Sequence, residues 1–362
     1  MSAPVLHVHG QIHVGPEEIR DEMWVIDGRI SFDPPSGAAE VESVRGHVIP
    51  GMVDAHCHVG LEKHGAVDRE RAEAHALADR DAGTLLVRDA GSPADTRWVQ
   101  DREDLPRLIR AGRHIARTKR YIPNFAHEIE PDQLVEYVRQ EARAGDGWVK
   151  LVGDWIDRGR GDLGTCWPVD VLTQAIAAAH EEGARVTAHC FGEESLRDFA
   201  AAGTDCIEHA TGLVPDTIDA FAAQGIAIVP TLVNILNFPD FAEAGRAKFP
   251  SYAAHMLDLH ARRYDTVSAA HEAGVPIYCG TDAGGQLPHG LVAHEVIELA
   301  KTRLGPRGAL AAATWSGRAW LGWPGIEEGA EADVLVYLDD PLSDLRVLSR
   351  PHRTLLRGRL VR

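Results

Sequence analysis

The chain has 362 residues, of which 44% are hydrophobic and 25% charged, an ordinary globular usage that excludes a disordered or fibrous protein. A formal net charge of −17 repels phosphate backbones and anionic headgroups, which argues against nucleic-acid and membrane-surface partners. The sequence contains no run of about 18 apolar residues with which to span a bilayer.

Residues 1–48 predict short strands broken by turns: 5–14 alternates in part, and Asp27-Gly28 is a hairpin signal between 23–26 and 29–32. No basic segment followed by a long apolar run stands at the N-terminus, and the five cysteines (Cys57, Cys166, Cys190, Cys206 and Cys279) are odd in number and scattered. The expectation is a reduced, cytoplasmic protein without a disulfide framework. From residue 48 onward the pattern alternates strand and helix. The predicted strands are 48–58, 84–89, 114–121, 148–153, 185–189, 206–209, 227–233 and 276–282. Helical stretches at 69–81, 132–144, 169–182, 195–202, 217–224 and within 251–272 lie between them. Several are followed by glycines such as Gly83, Gly183, Gly203, Gly225 and Gly274, a helix C-terminal signal. Residues 325–362 return to strands and turns, with 332–338, the turn Asp339-Asp340-Pro341, and 354–361.

Neither end has enough strands for a layer pair of its own. The economical arrangement is one small β-sandwich from 1–48 plus 325–362, with an α/β unit at 49–324 inserted. Eight β/α units predict a (β/α)8 TIM barrel. A doubly wound open sheet would place a glycine-rich phosphate turn after its first strand, whereas this strand ends in Asp54-Ala55-His56-Cys57-His58.

In a barrel the C-terminal strand ends form the site. Strand 1 ends in His56 and His58, which share a face because side chains repeat every two residues. Strand 4 carries Lys150, strand 5 His189, strand 6 His209 and strand 8 Asp282. A lone strand-end histidine is ordinarily a hydrogen-bonding group, but four imidazoles, an amine and a carboxylate at one end of a core are costly to bury without a ligand. A divalent cation suits neutral imidazoles and a carboxylate. Lys150 is one of only five lysines. It fits beside a cation if its amine is deprotonated and carbamylated by CO2; on spacing alone, pairing with Asp89, Asp154 or another carboxylate is an equal alternative.

These residues resemble the amidohydrolase superfamily over nearly the whole chain. The stretch Pro50-Gly51-Met52-Val53-Asp54-Ala55-His56-Cys57-His58 is similar to its first-strand signature. Trp148-Val149-Lys150, Thr187-Ala188-His189-Cys190-Phe191-Gly192, Ile207-Glu208-His209-Ala210-Thr211 and Gly280-Thr281-Asp282-Ala283-Gly284 resemble its later strand motifs. Ala332-Asp333-Val334-Leu335-Val336 resembles the strand that completes the small β domain after the barrel. A deaminase would carry Glu three residues after His189, where this chain has Gly192, and would lack Lys150. The best match is the binuclear-metal, carbamylated-lysine branch, in the prolidase-like dipeptidase and carboxypeptidase group.

The resemblance implies that His56, His58 and Asp282 hold a more buried metal ion, that His189 and His209 hold a second, and that carbamylated Lys150 and a hydroxide bridge them. Zinc is the expected ion, with manganese or iron accepted by similar ligands. Asp282 is then the general base and later the acid to the leaving group. The implied reaction is hydrolysis of the amide bond of dipeptides or N-acyl amino acids. Lactone, carbamate or organophosphate hydrolysis on the same site is the alternative, and a non-catalytic metal-binding barrel a third reading. Many relatives carry a tyrosine near Pro230-Thr231-Leu232, where this chain has Val233-Asn234. A substrate carboxylate therefore has Arg117, Tyr121, Arg262, Arg263 and Tyr264 as candidate partners, with His64 and His289 on loops near the mouth. Asp89, ending strand 2, is a candidate support for a ligand or else a strand-end hydrogen-bonding group. The expected partners are a small-molecule substrate and further copies of the chain, since relatives often self-associate.

Overall fold

The computed structural model describes residues 5–37 and 41–361; residues 1–4 and 38–40 of the predicted N-terminal segment, and residue 362, lie outside it. Strands from both chain ends pair into one seven-stranded sheet. Its order is Arg359–Leu360, Arg353–Leu356, Val334–Tyr337, Val41–Pro50, Val5–His13, Ile19–Ile26 and Arg29–Ser31. Val5–His13 and Val41–Pro50 run parallel, and the other neighbours antiparallel. The Asp27-Gly28 hairpin forms as its sequence demands, with φ of +50° and +81° at the two turn residues.

The strands of the expected small β domain are hydrogen-bonded as one continuous sheet. Val5–His13 pairs with a partner on each side, so the N-terminal hairpin and the C-terminal strands extend a single ladder. The faces of that ladder explain why this suffices. Val334 and Val336 pack with Val8, Ile12, Met23 and Val48, whereas Leu335 and Tyr337 point the other way into the core that also holds Met52 and Leu85. One face thus buries its apolar residues against one another within the terminal sheet, and the other packs on the α/β body.

In that body Met52–Glu62, Thr84–Asp89 and Arg107–Arg110 form one parallel run, flanked by Ala283–Gly285. His127–Ile129, Ile115–Arg117, Trp148–Val152, Arg185–Cys190, Cys206–His209 and Ala227–Val229 form a second. The helices Arg69–Asp81, Leu134–Ala144, Val169–Glu181, Glu193–Ala202, Pro215–Gln224 and Pro250–Glu272 alternate with them. Asp68 caps the first by accepting from Arg71 N, and left-handed Gly203 and Gly225 end two others.

The two runs are not one closed ladder. The predicted eighth strand at 276–282 makes one isolated bridge to Ile228, which donates to the Pro276 carbonyl and accepts from Tyr278 N, and on the other side Ala55 N donates to the Cys279 carbonyl while Thr281 N and Asp282 N donate to that of His56. Pro276 lacks an N–H and Asp282 is left-handed at φ +59°, so continuous pairing stops there. Because the strands run parallel, their C-terminal ends still share one side of the molecule. Among the described residues no helix is long and apolar enough to cross a membrane.

Candidate metal centre and its cleft

His56, His58 and Asp282 meet at that side. His56 Nε2 and His58 Nε2 are 3.2 Å apart, and Asp282 Oδ1 lies 3.1 Å from the first and 3.0 Å from the second. The other nitrogen of each ring is spoken for. His58 Nδ1 donates to the Gly91 carbonyl at 2.7 Å, which fixes its proton there and leaves Nε2 a bare lone pair. His56 Nδ1 lies 2.8 Å from the buried Glu208 carboxylate, which favours a proton on that side too. The contact is off the hydrogen-bond axis, and the attraction is chiefly one of charge. Two lone pairs thus face each other and a carboxylate, the donor set of a divalent cation.

A second imidazole pair stands beside the first. His189 Nδ1 and His209 Nε2 are 3.0 Å apart, and His209 Nδ1 is 2.7 Å from the Thr231 hydroxyl. The His56 and His209 rings are 5.1 Å apart, so the pairs share one site. Lys150 Nζ is buried and has no hydrogen-bond partner, and the same is true of His189 Nε2. Burial holds the Lys150 amine below its ordinary range even though Glu208 and Asp282 pull the other way. Burial likewise drives His189 down to about 3 and His58 and His209 below their usual value, so these rings are neutral donors. For Asp282 burial acts upward, but the imidazoles of His56 and His58 outweigh it and hold the carboxyl well below the usual range.

The backbone is strained where these groups turn inward. His209, Ala210, Thr231 and Asp282 all have φ between +48° and +67°, left-handed conformations that non-glycine residues adopt only when the surroundings impose them.

Several supporting residues lie outside the expected ligand set. Glu208 receives Arg88 Nη2 at 2.7 Å and the Thr187 hydroxyl as well as His56. Asn234 Nδ2 donates to Asp282 Oδ2 at 2.7 Å, so the departure noted at Val233-Asn234 places an amide on the candidate base. Asp89 accepts from Gly91 N and Val59 N at the end of its strand, and Gly91 is the residue whose carbonyl holds His58 Nδ1. His114 is wholly buried with both ring nitrogens unpartnered, its ring 4.9 Å from that of His58. The only sequence signal for it was a histidine opening a predicted strand.

The site opens into a cleft of about 400 Å³ whose walls include Tyr121, Phe125, Trp155, Phe191, Phe241, Phe249 and Tyr252. Of the residues proposed for substrate contact, Tyr121 lies in this wall, 5.6 Å from the His189 ring. The others point elsewhere. Arg117 reaches the Cys166 carbonyl and sits 3.9 Å from Glu130, and exposed His64 meets Asn124 only through its carbonyl. His289 is held by Asp79 at 2.8 Å and stacks on His75. Arg262 pairs with Glu193, and the Tyr264 hydroxyl donates to Glu298. Each is engaged by a partner on another segment of the chain, so none of them supplies a carboxylate clamp in the cleft. Apart from the imidazoles, Lys248 is the basic side chain lining the cleft.

The model of the amidohydrolase family matches residues 47–361. An uncharacterized protein of Mycobacterium tuberculosis is 54% identical over 356 residues, covering 98% of this chain and 95% of its own length. Two solved structures share the fold. A Xaa-Pro dipeptidase with methionine bound in its active site gives a TM-score of 0.83 at 22% identity, covering 98% of this chain and 99% of that one. A prolidase complexed with N-methylphosphonate-L-proline gives 0.81 at 22% identity, with the same coverage of 98% and 99%. A family match over most of the sequence, on a backbone that brings its motif residues together, means that the chain belongs to the amidohydrolase family, with the fold of its prolidase-like members.

Proposed function

We propose that this protein is a binuclear-metal hydrolase of amide bonds, acting on dipeptides or N-acyl amino acids with bulky apolar groups. The supporting unit is a (β/α)8 barrel at 49–324, carried by a small β domain from 1–48 and 325–362. One observation carries the reading: two pairs of imidazoles face each other at 3.2 and 3.0 Å, with the unpartnered amine of Lys150 buried beside them. Left alone, each unpartnered buried nitrogen costs about 1–3 kcal/mol. Divalent cations relieve all of them together.

The residues present fit such a pair of ions, zinc first among them. His56, His58 and Asp282 would hold one, His189 and His209 the other, and Lys150 as its carbamate would join them. Bound there, the ions supply an activated water at neutral pH and Lewis-acid polarisation of the scissile carbonyl. The chain does the rest. Asp282 takes the proton of the attacking water and passes it to the leaving nitrogen. Asn234 fixes the orientation of the carboxylate, because its amide holds Oδ2 and so keeps Oδ1 turned toward His56 and His58. Glu208 and the Gly91 carbonyl keep the protons of His56 and His58 on Nδ1. The aromatic wall excludes water and selects apolar substituents.

Among the described residues the cleft presents no guanidinium, and this favours a second reading in which neutral lactones, carbamates or phosphotriesters are hydrolysed on the same site. A panel of dipeptides, N-acyl amino acids, lactones, carbamates and phosphotriesters, assayed with the zinc-loaded protein, separates the two. Fastest turnover of apolar N-acyl amino acids or dipeptides is expected. Turnover confined to the lactones, carbamates or phosphotriesters overturns the amide assignment.

A further inference from the structure

A second donor cluster lies in the terminal sheet, away from the cleft. His13 ends Val5–His13, His47 lies in the adjacent Val41–Pro50, and Asp340 follows Val334–Tyr337, the next strand over. One ring nitrogen of each histidine and one oxygen of Asp340 lie within 4.8 Å of one another. His13 is 3% exposed, and its Nε2 has no hydrogen-bond partner. His47 Nδ1 is buried and unpartnered too, facing Asp340 Oδ1 at 4.0 Å. The carboxylate itself is fixed by Leu342 N at 2.9 Å and the Ser343 hydroxyl at 2.8 Å.

That separation is too long for a hydrogen bond. It matches donors that share a cation: two atoms each about 2.1 Å from one ion stand roughly 3.0 to 4.2 Å apart as the angle between them opens from about 90° to 180°. The side chains of His47 and Asp340 are 22% and 30% exposed, which leaves a solvent side for water to complete the coordination. Two imidazoles and one carboxylate select zinc, cobalt, nickel or copper over calcium and magnesium, which take oxygen ligands. Arg307 is the nearby cation, and it is drawn off by Glu17 at 3.5 Å.

We propose that His13, His47 and Asp340 form a further transition-metal site, zinc by chemical class, that ties the N-terminal strand to the C-terminal segment. It shares no residue with the cleft, so it stands or falls independently of the hydrolase assignment. Its role is structural: the ion clamps three neighbouring strands of a sheet assembled from opposite ends of the chain.

Crystals of the full chain equilibrated with zinc(II), measured on both sides of the zinc absorption edge, locate the ion directly. Anomalous density bridging His13, His47 and Asp340 is expected, and His56→Ala retains it. Asp340→Asn preserves the turn contacts to Leu342 and Ser343 while removing the charge. That variant and His47→Gln are expected to lose one zinc equivalent per chain and part of the zinc-induced rise in melting temperature, with turnover unchanged. Absence of density there in zinc-equilibrated crystals, or zinc content and melting temperature unaltered in both variants, overturns the proposal.

Discussion

Glu208 is fully buried and carries its charge only because Arg88, Thr187 and His56 surround it. Arg88 is itself wholly buried, its guanidinium over the Trp148 ring at 4.5 Å. Arg88→Met therefore strands a carboxylate, and a loss of about 3–5 kcal/mol is expected in denaturant unfolding. The milder Glu208→Gln leaves an acceptor for Arg88 but loosens its hold on His56. It should weaken metal affinity by roughly 10- to 100-fold in competition with a chelator. Lys150→Ala should abolish turnover, with partial return when small carboxylic acids are added; full activity in that variant removes the carbamate from the account. The six ligand candidates were legible as residue types at strand ends. Glu208 was not, although it precedes His209 in a quoted motif. Alternation assigns neighbours to opposite faces, and left-handed His209 (φ +67°) breaks that rule, which brings both residues to the site. His114 stood alone in the sequence, and only its packing against His58 marks it.

Among the elements, the helix Pro250–Glu272 shows how far pairing escapes the sequence. His255 on this helix bridges Glu193 and Asp162, both at 3.0 Å, and so ties three segments together beside the cleft wall. The hydrogen bond to Glu193, with help from Asp162, raises its imidazole to about 9. A raised value means that the stabilisation is complete below the unfolded value of 6.5 and is lost as pH climbs through about 9. The loss is on the order of 2 kcal/mol, and His255→Gln should flatten the fall in stability between those pH values. An unchanged slope in the variant contradicts the bridge. The helices and most strands were legible because their apolar spacing and terminal glycines are local signals. The segment at 276–282 looked like a strand for the same local reason, yet Pro276 and left-handed Asp282 leave it only isolated backbone bonds.

At the scale of the whole molecule, Asp333 joins the terminal sheet to the α/β body. Its carboxylate accepts from Arg107 Nε at 2.5 Å, Arg318 Nη2 at 3.2 Å and the backbone N–H of Arg357 at 2.8 Å. Asp333→Ala leaves Arg318 buried without its charge partner, so a loss of about 3 kcal/mol or more should appear as a lower melting temperature. That both chain ends contribute to one sheet was legible, since each end alone is too short to bury a face. The continuous ladder was not, because the parallel pairing of Val5–His13 with Val41–Pro50 and the burial of Leu335 and Tyr337 against the body depend on contacts between segments far apart in the chain.

The central claim is that the two imidazole pairs and Lys150 hold ions on which hydrolysis depends. Elemental analysis of the purified protein, paired with turnover of an apolar N-acyl amino acid before and after chelation, tests it most directly. Two divalent equivalents in the cleft, activity that vanishes on chelation, and recovery on adding zinc are predicted. Undiminished turnover in protein stripped of metal contradicts the account.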